Sequence, residues 1–353
     1  MEQILLSIII PLYNGGKFIE QLVNNIVLHN SDSFPYEIIL VNDGSPDNTA
    51  DVCRGLTQKY SNIKYVEKEN GGIASARNAG LEHAAGMYIT FADQDDTVIA
   101  GYKPFIEKCI ADNLDMLVTS SYNKRINDEK ISKRTFPDMI INDTTMIKKI
   151  AGKLIDGDFL SDDSAPFISV SVWNALYRKG MILENNTRFK VFIDYEDDWI
   201  FNIENLINAK KIALSSEGYY CWIIREGSES HRTKYIKDLL AKRKNWMVWI
   251  SEIIEKLGIE PSRAESFIRD VLIPRNIMMC FNNACWNDKA SETEKFKEIS
   301  EALGPEGWNI ASVKLGSVKE MSASNKLLLR ILKQNHVKLA YYCNRSVFKN
   351  RFH

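Results

Sequence analysis

Three groups of acidic side chains are best suited to chemistry in this sequence: Asp43 in NDGS, the acids of FADQDD and the acids of YEDDW. In FADQDD, one residue separates Asp93 from Asp95, and Asp96 follows. Clustered carboxylates repel one another unless a cation offsets their charge, and hard oxygen ligands suit Mg²⁺ or Mn²⁺. The spacing therefore favours a divalent ion that bridges a diphosphate. The alternative is a solvated acidic turn in which Asp96 caps a helix.

The other polar segments each have two interpretations. DGSPDNT has the chemistry of a turn and helix cap, but Asp43 could also accept a hydrogen bond from a nucleobase N–H. In ENGGIASARN, Gly71 and Gly72 either only permit tight backbone angles or let the backbone approach a ligand, with Arg77 near phosphate. The acids of YEDDW could simply complement the positive end of a helix dipole. Neither GxGxxG nor GxxxxGK[ST] occurs, so a dinucleotide site and a P-loop both lack their fingerprint.

The elements that would position these groups alternate between strand and helix in the first third of the chain. Strands separated by helices predict right-handed βαβ units and a mainly parallel sheet flanked by helices, an α/β fold. Ligands of such sheets bind at the carboxyl ends of the strands, where each acidic group lies or onto which a later loop could fold. The predicted strands are LLSIIIPLY, EIILVND, IKYVEKE and MYITFAD.

The middle of the chain is mixed, and its last third is helical. LDMLVTSSYN, FISVSVWNALYR with Trp173 inside it, and GYYCWII predict further strands, and DYEDDWIFNIENLINA predicts an amphipathic helix. We expect residues 123–165 to form a loop with short helices. Helical patterns begin near Tyr235, where we place a domain boundary, and Pro274 should kink or break the second helix. The pattern of residues 290–318 is weaker.

Composition excludes several classes of protein. The 353 residues carry 45 Lys and Arg against 46 Asp and Glu, a net charge of -1, and a nucleic-acid binder usually has a basic excess. The 6 Cys form no CxxC pair, so we expect no zinc ribbon or disulfide framework and infer a cytosolic chain with reduced thiols. The apolar N-terminal stretch lacks a basic leader and meets Pro11 early, so we predict neither a signal peptide nor a membrane-spanning helix.

The order of the motifs resembles family 2 glycosyltransferases. IIIPLYN, VNDGSPDNT, ENGGIASARNAGL and YITFADQDD resemble the donor-binding half, and SVWNALYRKGMI, YEDDWIFN and YYCWIIREGSESH continue the resemblance over about residues 4–231. The resemblance implies a GT-A type fold that binds a nucleotide sugar, and an inverting, metal-dependent transfer. It implies a catalytic domain over residues 1–234, with a nucleotide-sugar half at 1–122 and an acceptor half at 123–234. Residues 235–353 would form a helical C-terminal domain.

The resemblance also implies roles for single residues around the donor. Asp43 matches the acid that contacts the base, usually uracil, so the expected donor is linked to UDP. Asp95 is the favoured ligand of Mn²⁺ or Mg²⁺, Asp93 is the second ligand, and Asp96 lies close by. Gln94 stands where the family often has a small residue, a departure that we expect to matter little because its side chain points to the opposite face. The other residues expected around the donor are Pro11, Tyr13, Asn14, Asn70, Gly71, Gly72, Arg77 and Asn78.

The later acids match the family's catalytic pair in two possible registers. Alignment on WIFN makes the pair Asp197 and Asp198, and alignment on the tyrosine-flanked start makes it Glu196 and Asp197. We favour Asp198 as the base that takes the proton of the acceptor hydroxyl, with Asp197 next. His231 resembles a histidine that reaches the metal or diphosphate in some relatives; alternatively it is an exposed loop residue. Trp173 and Trp199 could form an acceptor wall or pack in the core.

The expected function is transfer of the sugar to a hydroxyl of a glycan or lipid-linked oligosaccharide in cell-surface polysaccharide synthesis. The C-terminal stretch is basic and amphipathic, so it could lie on the inner face of the cell membrane, or pack as a helix with a solvated basic face. It could also form a homodimer. The rival functions are a non-catalytic scaffold in a glycan-assembly complex and a nucleotidyltransferase, which would need a glycine-rich, basic N-terminal loop that we do not find.

Overall fold

The computed structural model describes the chain except for residues 1–2, 31–33, 127, 129, 157–159, 161–163, 167, 169–170, 194–195, 226–234, 319–320 and 350–353, and the side chains of 345–349. The chain forms two compact units, Met1–Glu226 and Gly227–His353. The first unit is an α/β structure and the second is helical. The assignment of residues 1–122 to a donor half, of 123–234 to an acceptor half and of 235–353 to a C-terminal domain stays a prediction.

The first unit contains twelve described strands and seven described α-helices. Its first part comprises β1 (Leu6–Leu12), α1 (Ile19–His29), β2 (Tyr36–Asp43), α2 (Thr49–Lys59), β3 (Ile63–Lys68), α3 (Ile73–His83), β4 (Tyr88–Phe91), β5 (Thr97–Val98), α4 (Lys103–Ala111) and β6 (Met116–Thr119). Its second part comprises β7 (Ser121–Arg125), β8 (Ile131–Arg134), β9 (Met139–Ile141), α5 (Thr144–Asp156), β10 (Ala175–Arg178), α6 (Lys179–Glu184), α7 (Asp197–Asn208), β11 (Ile212–Ser215) and β12 (Tyr220–Ile224).

The described strands form two sheets. The larger has the order β3-β2-β1-β4-β10-β6-β11-β9, and the smaller has the order β5-β12-β7-β8. In the larger sheet, β1 pairs in parallel with β2 and β4, β2 with β3, and β6 with β11, whereas β9 and β10 run antiparallel to their neighbours. All seven residues of β1 are buried, as expected for a central strand covered by helices on both faces. The predicted mainly parallel sheet flanked by helices is therefore confirmed.

The parallel strands bring the predicted site to one edge of the sheet. β1, β2 and β4 are neighbours, so the residues that follow Leu12, Asp43 and Phe91 meet at their carboxyl ends. Gly80 of α3 allows close packing on β1, because a Cβ at this position would lie 2.3 Å from a side-chain atom of Ile9. The close packing holds α3, which carries Arg77, against the central strand.

Three predictions for the middle of the chain were wrong. LDMLVTSSYN forms β6 and β7 in different sheets, because Ser120 between them bonds to Ser215 and Phe136 instead of continuing one ladder. Trp173 lies in a 3₁₀ turn before β10, which reciprocal hydrogen bonds between Ser171 and Asn174 stabilise. Instead of a loop with short helices, the described part of residues 123–165 includes β8, β9 and the 13-residue helix α5.

The second unit is helical, as predicted. It contains α8 (Leu239–Lys256), α9 (Pro261–Phe267), a π-helical turn (Ile268–Leu272), α10 (Ile273–Trp286), α11 (Glu292–Leu303), α12 (Ala323–Lys333) and α13 (Val337–Lys349). The irregularity predicted at Pro274 is the π turn that directly precedes α10, since proline crowds the preceding turn and lacks an N–H. A capping box of Ser291 and Glu294 begins α11, in the region where the pattern was weak.

The basic helices near the C-terminus are packed on one side. Leu328, Leu329 and Leu332 of α12 are buried in the core of this unit, together with Ala340 of α13. Arg330 remains exposed on the other side of α12. Among the residues that the structure describes, no helix is both long enough and apolar enough to span a bilayer.

Candidate functional site

The acid-rich turn, residues 93–96, follows β4 and is held by β12. The two carboxylate oxygens of the buried Asp96 accept hydrogen bonds from the Tyr220 hydroxyl and from the backbone N–H of Ile223, each at 2.8 Å. The same Tyr220 hydroxyl accepts a hydrogen bond from the Asp93 N–H at 2.9 Å. Burial and the neighbouring Asp93 raise the pKa of Asp96 to about 8. Asp96 thus fastens the turn to the smaller sheet.

The other two acids of the turn each contact an arginine. Asp95 Oδ2 lies 2.8 Å from Arg225 Nη1, and Asp93 Oδ1 lies 3.1 Å from Arg77 Nη2. About a third of each side chain, 35% for Asp95 and 32% for Asp93, remains exposed. Burial raises the pKa of Asp93, and its attraction to Arg77 opposes that shift. Both carboxylates therefore remain accessible to an ion or ligand.

Arg77 joins this turn to the acids that open α7. Its Nη2 donates to Asp93, while its Nη1 donates to Asp197 Oδ2 at 2.7 Å, and the residue is only 4% exposed. Burial alone would lower the pKa of Arg77, but attraction to Asp197 and Asp93 raises it above its ordinary value. A charged guanidinium thus lies between two of the predicted acidic groups. The structure therefore brings these two acidic groups together around Arg77.

The three consecutive acids before and within α7 differ in environment. Glu196 is the residue immediately before the helix, and Asp197 is buried against Arg77. Asp198 is partly exposed, and its Oδ1 accepts a hydrogen bond from the backbone N–H of Trp199 at 2.7 Å. Burial raises the pKa of Asp198 to about 6, against the opposing attraction of Arg77. Asp198 thus combines solvent access with a pKa close to neutrality, as a general base requires.

Asp43 fixes the loop that leads into α3. Its carboxylate accepts hydrogen bonds from Lys68 Nζ at 2.6 Å, from the Gly71 N–H at 3.0 Å and from the Gly72 N–H at 2.8 Å. The Asn70 side chain donates to the Asp43 carbonyl at 2.9 Å. Gly72 has a φ of 83°, a backbone conformation that strongly favours glycine. The predicted donor residues of this region therefore form one ordered loop around Asp43.

The β1 loop, residues 13–16, lies beside this region. Tyr13 is 48% exposed, and the backbone N–H of Asn14 donates to Ser45 Oγ at 3.1 Å. The Gln94 side chain forms hydrogen bonds with the backbone of this loop. Its Oε1 accepts from the Tyr13 N–H and its Nε2 donates to the Tyr13 carbonyl, both at 3.0 Å. The acid-rich turn and the β1 loop are thus directly connected.

Pro11 and Asn78 are the remaining residues predicted around the donor. Pro11 is buried within β1. The Asn78 amide is occupied by the backbone of Phe189, since it donates to the carbonyl at 2.8 Å and accepts from the N–H at 2.9 Å. Asn78 therefore holds the segment before α7 against α3. His231 lies outside the described residues.

The two tryptophans considered for an acceptor wall have packing partners. Trp173 stacks on Tyr220, with the ring centroids 4.7 Å apart and an angle of 18° between the planes. The Trp199 indole N–H donates to the carbonyl of Leu154 in α5 at 3.2 Å. Trp173 therefore supports the tyrosine that holds the acid-rich turn.

The donor atoms of the turn fit a divalent ion that a ligand helps to bind. Asp93 and Asp95 offer exposed carboxylate oxygens, and Mg²⁺ commonly takes one or two carboxylates together with substrate phosphates. Within the described part of the chain, no three His, Cys, Asp or Glu side chains converge on a point that could hold a metal. Water and the phosphate oxygens of a bound ligand would complete the coordination of an ion at this turn.

Sequence reasoning missed the residues that hold the acids in place. Tyr220 and Arg225 fix the acid-rich turn, although both lie in the quoted motif YYCWIIREG. Lys68 ends β3 directly opposite Asp43 in the parallel register. Pairing the ends of the predicted strands would have suggested the contact between Lys68 and Asp43. The contacts of Tyr220 and Arg225 depend on the smaller sheet, which the sequence pattern did not reveal.

The first half of the chain resembles a known protein family. Residues 7–172 match the model described as glycosyl transferase family 2. The uncharacterized glycosyltransferase EpsJ of Bacillus subtilis (strain 168) is 31% identical over 229 residues, which cover 64% of this chain and 62% of EpsJ. This chain thus spans less than two thirds of that relative. The poly(ribitol-phosphate) beta-N-acetylglucosaminyltransferase TarP of Staphylococcus aureus (strain N315) is 22% identical, with 93% of this chain and 95% of TarP covered.

A solved structure has the same fold. The crystal structure of S. aureus TarS residues 1–349 in complex with UDP-GlcNAc matches with a TM-score of 0.63 and 20% identity, covering 98% of this chain and 92% of that one. The family match covers the strands and loops that carry Asp43 and the acid-rich turn. Residues 7–172 therefore resemble glycosyltransferase family 2, and the chain has a GT-A type fold.

Proposed function

We propose that this protein transfers a sugar from a UDP-linked donor to a hydroxyl of a glycan or lipid-linked saccharide, with inversion, during cell-surface polysaccharide synthesis. The observation that carries the proposal is the contact of one buried guanidinium, that of Arg77, with both Asp93 and Asp197. An inverting displacement needs a group that binds the departing diphosphate and a base for the incoming hydroxyl in the same site. The shared arginine supports such an arrangement.

The residues at the strand ends would bind the donor. The exposed Tyr13 ring and Asp43 lie at the carboxyl ends of neighbouring strands, where the nucleoside would bind. Asp93 and Asp95 would hold a Mn²⁺ or Mg²⁺ ion, which would offset the charge of the diphosphate. Asp96 would keep the turn in place through Tyr220 rather than bind the ion itself.

Asp198 would act as the general base. An acceptor hydroxyl is a poor nucleophile at neutral pH, and a positioned base typically contributes about 10²–10⁴-fold to the rate. A carboxylate with a pKa of about 6 is ionised at neutral pH and still basic enough to take a proton. Asp197 is less suited to this role because Arg77 holds its carboxylate. Asp197 would instead position the start of α7.

We propose the chemical class of the acceptor rather than a single compound. TarP is named for transfer to poly(ribitol-phosphate), and another relative from Bacillus spizizenii is named a poly(ribitol-phosphate) beta-glucosyltransferase. A hydroxyl of a cell-surface polymer is therefore the acceptor that we propose. A cytoplasmic location, contact of the basic helix α12 with the inner face of the membrane and a homodimer belong to the same proposal.

A panel of nucleotide sugars would test the proposed donor. Release of nucleoside diphosphate is measured for each donor with and without Mn²⁺, in the presence of polyol-phosphate and saccharide acceptors. We expect a UDP-sugar to be turned over in a Mn²⁺- or Mg²⁺-dependent way, and Asp95→Ala to weaken donor binding and the response to metal. The exposed Asp51, in the first turn of α2, supplies the matched control Asp51→Ala. Absence of UDP binding and of UDP release with every donor would overturn the proposal.

A further inference from the structure

The Gln94 side chain forms a reciprocal pair of hydrogen bonds with one residue of the β1 loop. Its Oε1 accepts from the Tyr13 N–H and its Nε2 donates to the Tyr13 carbonyl, each over 3.0 Å. A side-chain amide is the group that can satisfy a backbone donor and acceptor of the same residue at once. We call this pair of bonds the Gln94 clasp.

The space beside the clasp is closely fitted. A Cβ on Gly15 would lie 2.4 Å from Gln94 Oε1 and 3.1 Å from Gln94 Cδ, whereas the next nearest atom, Leu12 Cδ2, is at an ordinary 3.5 Å. Gly15 has an ordinary negative φ, so an alanine there would be strained by Gln94 and by little else. Absence of a side chain at Gly15 is therefore what lets the Gln94 amide reach Tyr13.

The clasp connects two parts of the site that have separate anchors. Backbone N–H groups of the β1 loop donate to Ser45 and Thr49, which tie the loop to the segment after β2. The acid-rich turn is anchored on the other side by Tyr220 and Arg225. Gln94 is the side chain that crosses from the turn to the loop.

We infer that Gln94 is a positioning residue that sets the distance between the nucleoside end and the diphosphate end of the donor site. This inference rests on the proposed function, in which Tyr13 faces the nucleoside and Asp93 and Asp95 face the diphosphate. A donor that contacts both ends gains affinity from their correct spacing, because the second contact then costs little additional ordering. Loosening the clasp should weaken the binding of ligands that span both ends more than the binding of ligands that occupy one end.

The test compares Gln94→Met, which keeps the length of the side chain without its hydrogen bonds, with the wild type and with Gln21→Met, at an exposed position of α1. With Mn²⁺ present, we expect Gln94→Met to weaken UDP binding about tenfold, which corresponds to the loss of roughly one to two hydrogen bonds. The affinity for inorganic pyrophosphate should change less than about twofold. KM for the donor should rise with kcat nearly unchanged. The melting temperature of Gln94→Met should match that of Gln21→Met, because the clasp lies at the surface.

A double-mutant cycle tests the geometry independently. Gly15→Ala should displace the Gln94 amide and weaken UDP binding about as much as Gln94→Ala, and the double variant should be no weaker than either single one. Additive losses, or equal losses for UDP and pyrophosphate, would overturn the inference. So would wild-type UDP affinity in Gln94→Met. A wild-type protein that binds no UDP would instead contradict the proposed function, so the two failures are distinguishable.

Discussion

At neutral pH, Asp198→Asn should lower the turnover of the enzyme and raise its stability. Burial raises the pKa of Asp198 from 3.8 to about 6, so the ionised carboxylate is less stable in the folded protein than in the unfolded chain. Two pKa units correspond to about 3 kcal/mol, and because Asp198 is partly exposed we reduce the expected cost to about 1–2 kcal/mol. An amide carries no charge and escapes this cost. At neutral pH the variant should therefore be more stable than the wild type.

The difference in stability between the wild type and Asp198→Asn should depend on pH. For a group whose pKa is raised on folding, the favourable contribution to stability is complete below pH 3.8 and is lost as the pH rises through about 6. The wild type and Asp198→Asn should therefore melt at similar temperatures near pH 4, and the variant should melt a few degrees higher at pH 7.5. Turnover of the wild type should fall as the pH drops below about 6, because the base becomes protonated.

The neighbouring acid provides the contrasting control. Asp197→Asn removes a charge partner of the buried Arg77 and should destabilise the protein by about 3 kcal/mol, the usual cost of breaking a buried ion pair. Asp198→Asn should lower turnover about 10²–10⁴-fold with donor affinity nearly unchanged. Full turnover in Asp198→Asn would refute its role as the base. A melting temperature that follows the wild type at every pH would refute the reasoning from burial.

Three further changes test other contacts. Asn78→Ala should lower the free energy of unfolding by about 1–3 kcal/mol, measured by urea denaturation, because it leaves two backbone groups of Phe189 without their partner. Asp43→Asn should weaken UDP binding about tenfold in a calorimetric titration, since it removes the charge that holds Lys68 and the loop before α3; unchanged affinity would contradict this role. Arg330→Glu should reduce pelleting with anionic liposomes, as a basic residue near such a surface contributes about 1 kcal/mol, and it leaves the buried leucines of α12 intact; equal pelleting would exclude α12 from membrane contact.

The order of elements from β1 to β4 could be predicted because each has a local signal. β1 is a continuous apolar run, α1 has helical spacing, and β2 ends at a turn sequence. The break between β6 and β7 has no such signal. It depends on Ser120 meeting Ser215, which lies far away in the sequence. Local patterns therefore predicted the elements but not the point at which the chain changes sheets.

The acids of the site could be located for the same reason, whereas their partners could not. A strand end followed by carboxylates is visible in the sequence, and parallel pairing brings such ends together. Which cation meets which carboxylate depends on side chains that converge only in the folded chain. No signal in the sequence indicated that Arg77 pairs with Asp93 and Asp197, and its expected place near phosphate stays a prediction. Gln94 was expected to matter little, but it crosses to Tyr13.

The shared arginine is better explained by the geometry of the site than by stability. Removing charges from water is costly, and well-packed apolar residues often stabilise a protein as much as a buried ion pair does. Arg77 is also imperfectly satisfied, since among the described residues its buried Nε has no hydrogen-bond partner. What the arrangement does achieve is a fixed spacing between Asp93, at the end of β4, and Asp197, at the start of α7. In the proposed reaction, such a spacing would help to hold the departing and the attacking groups in line.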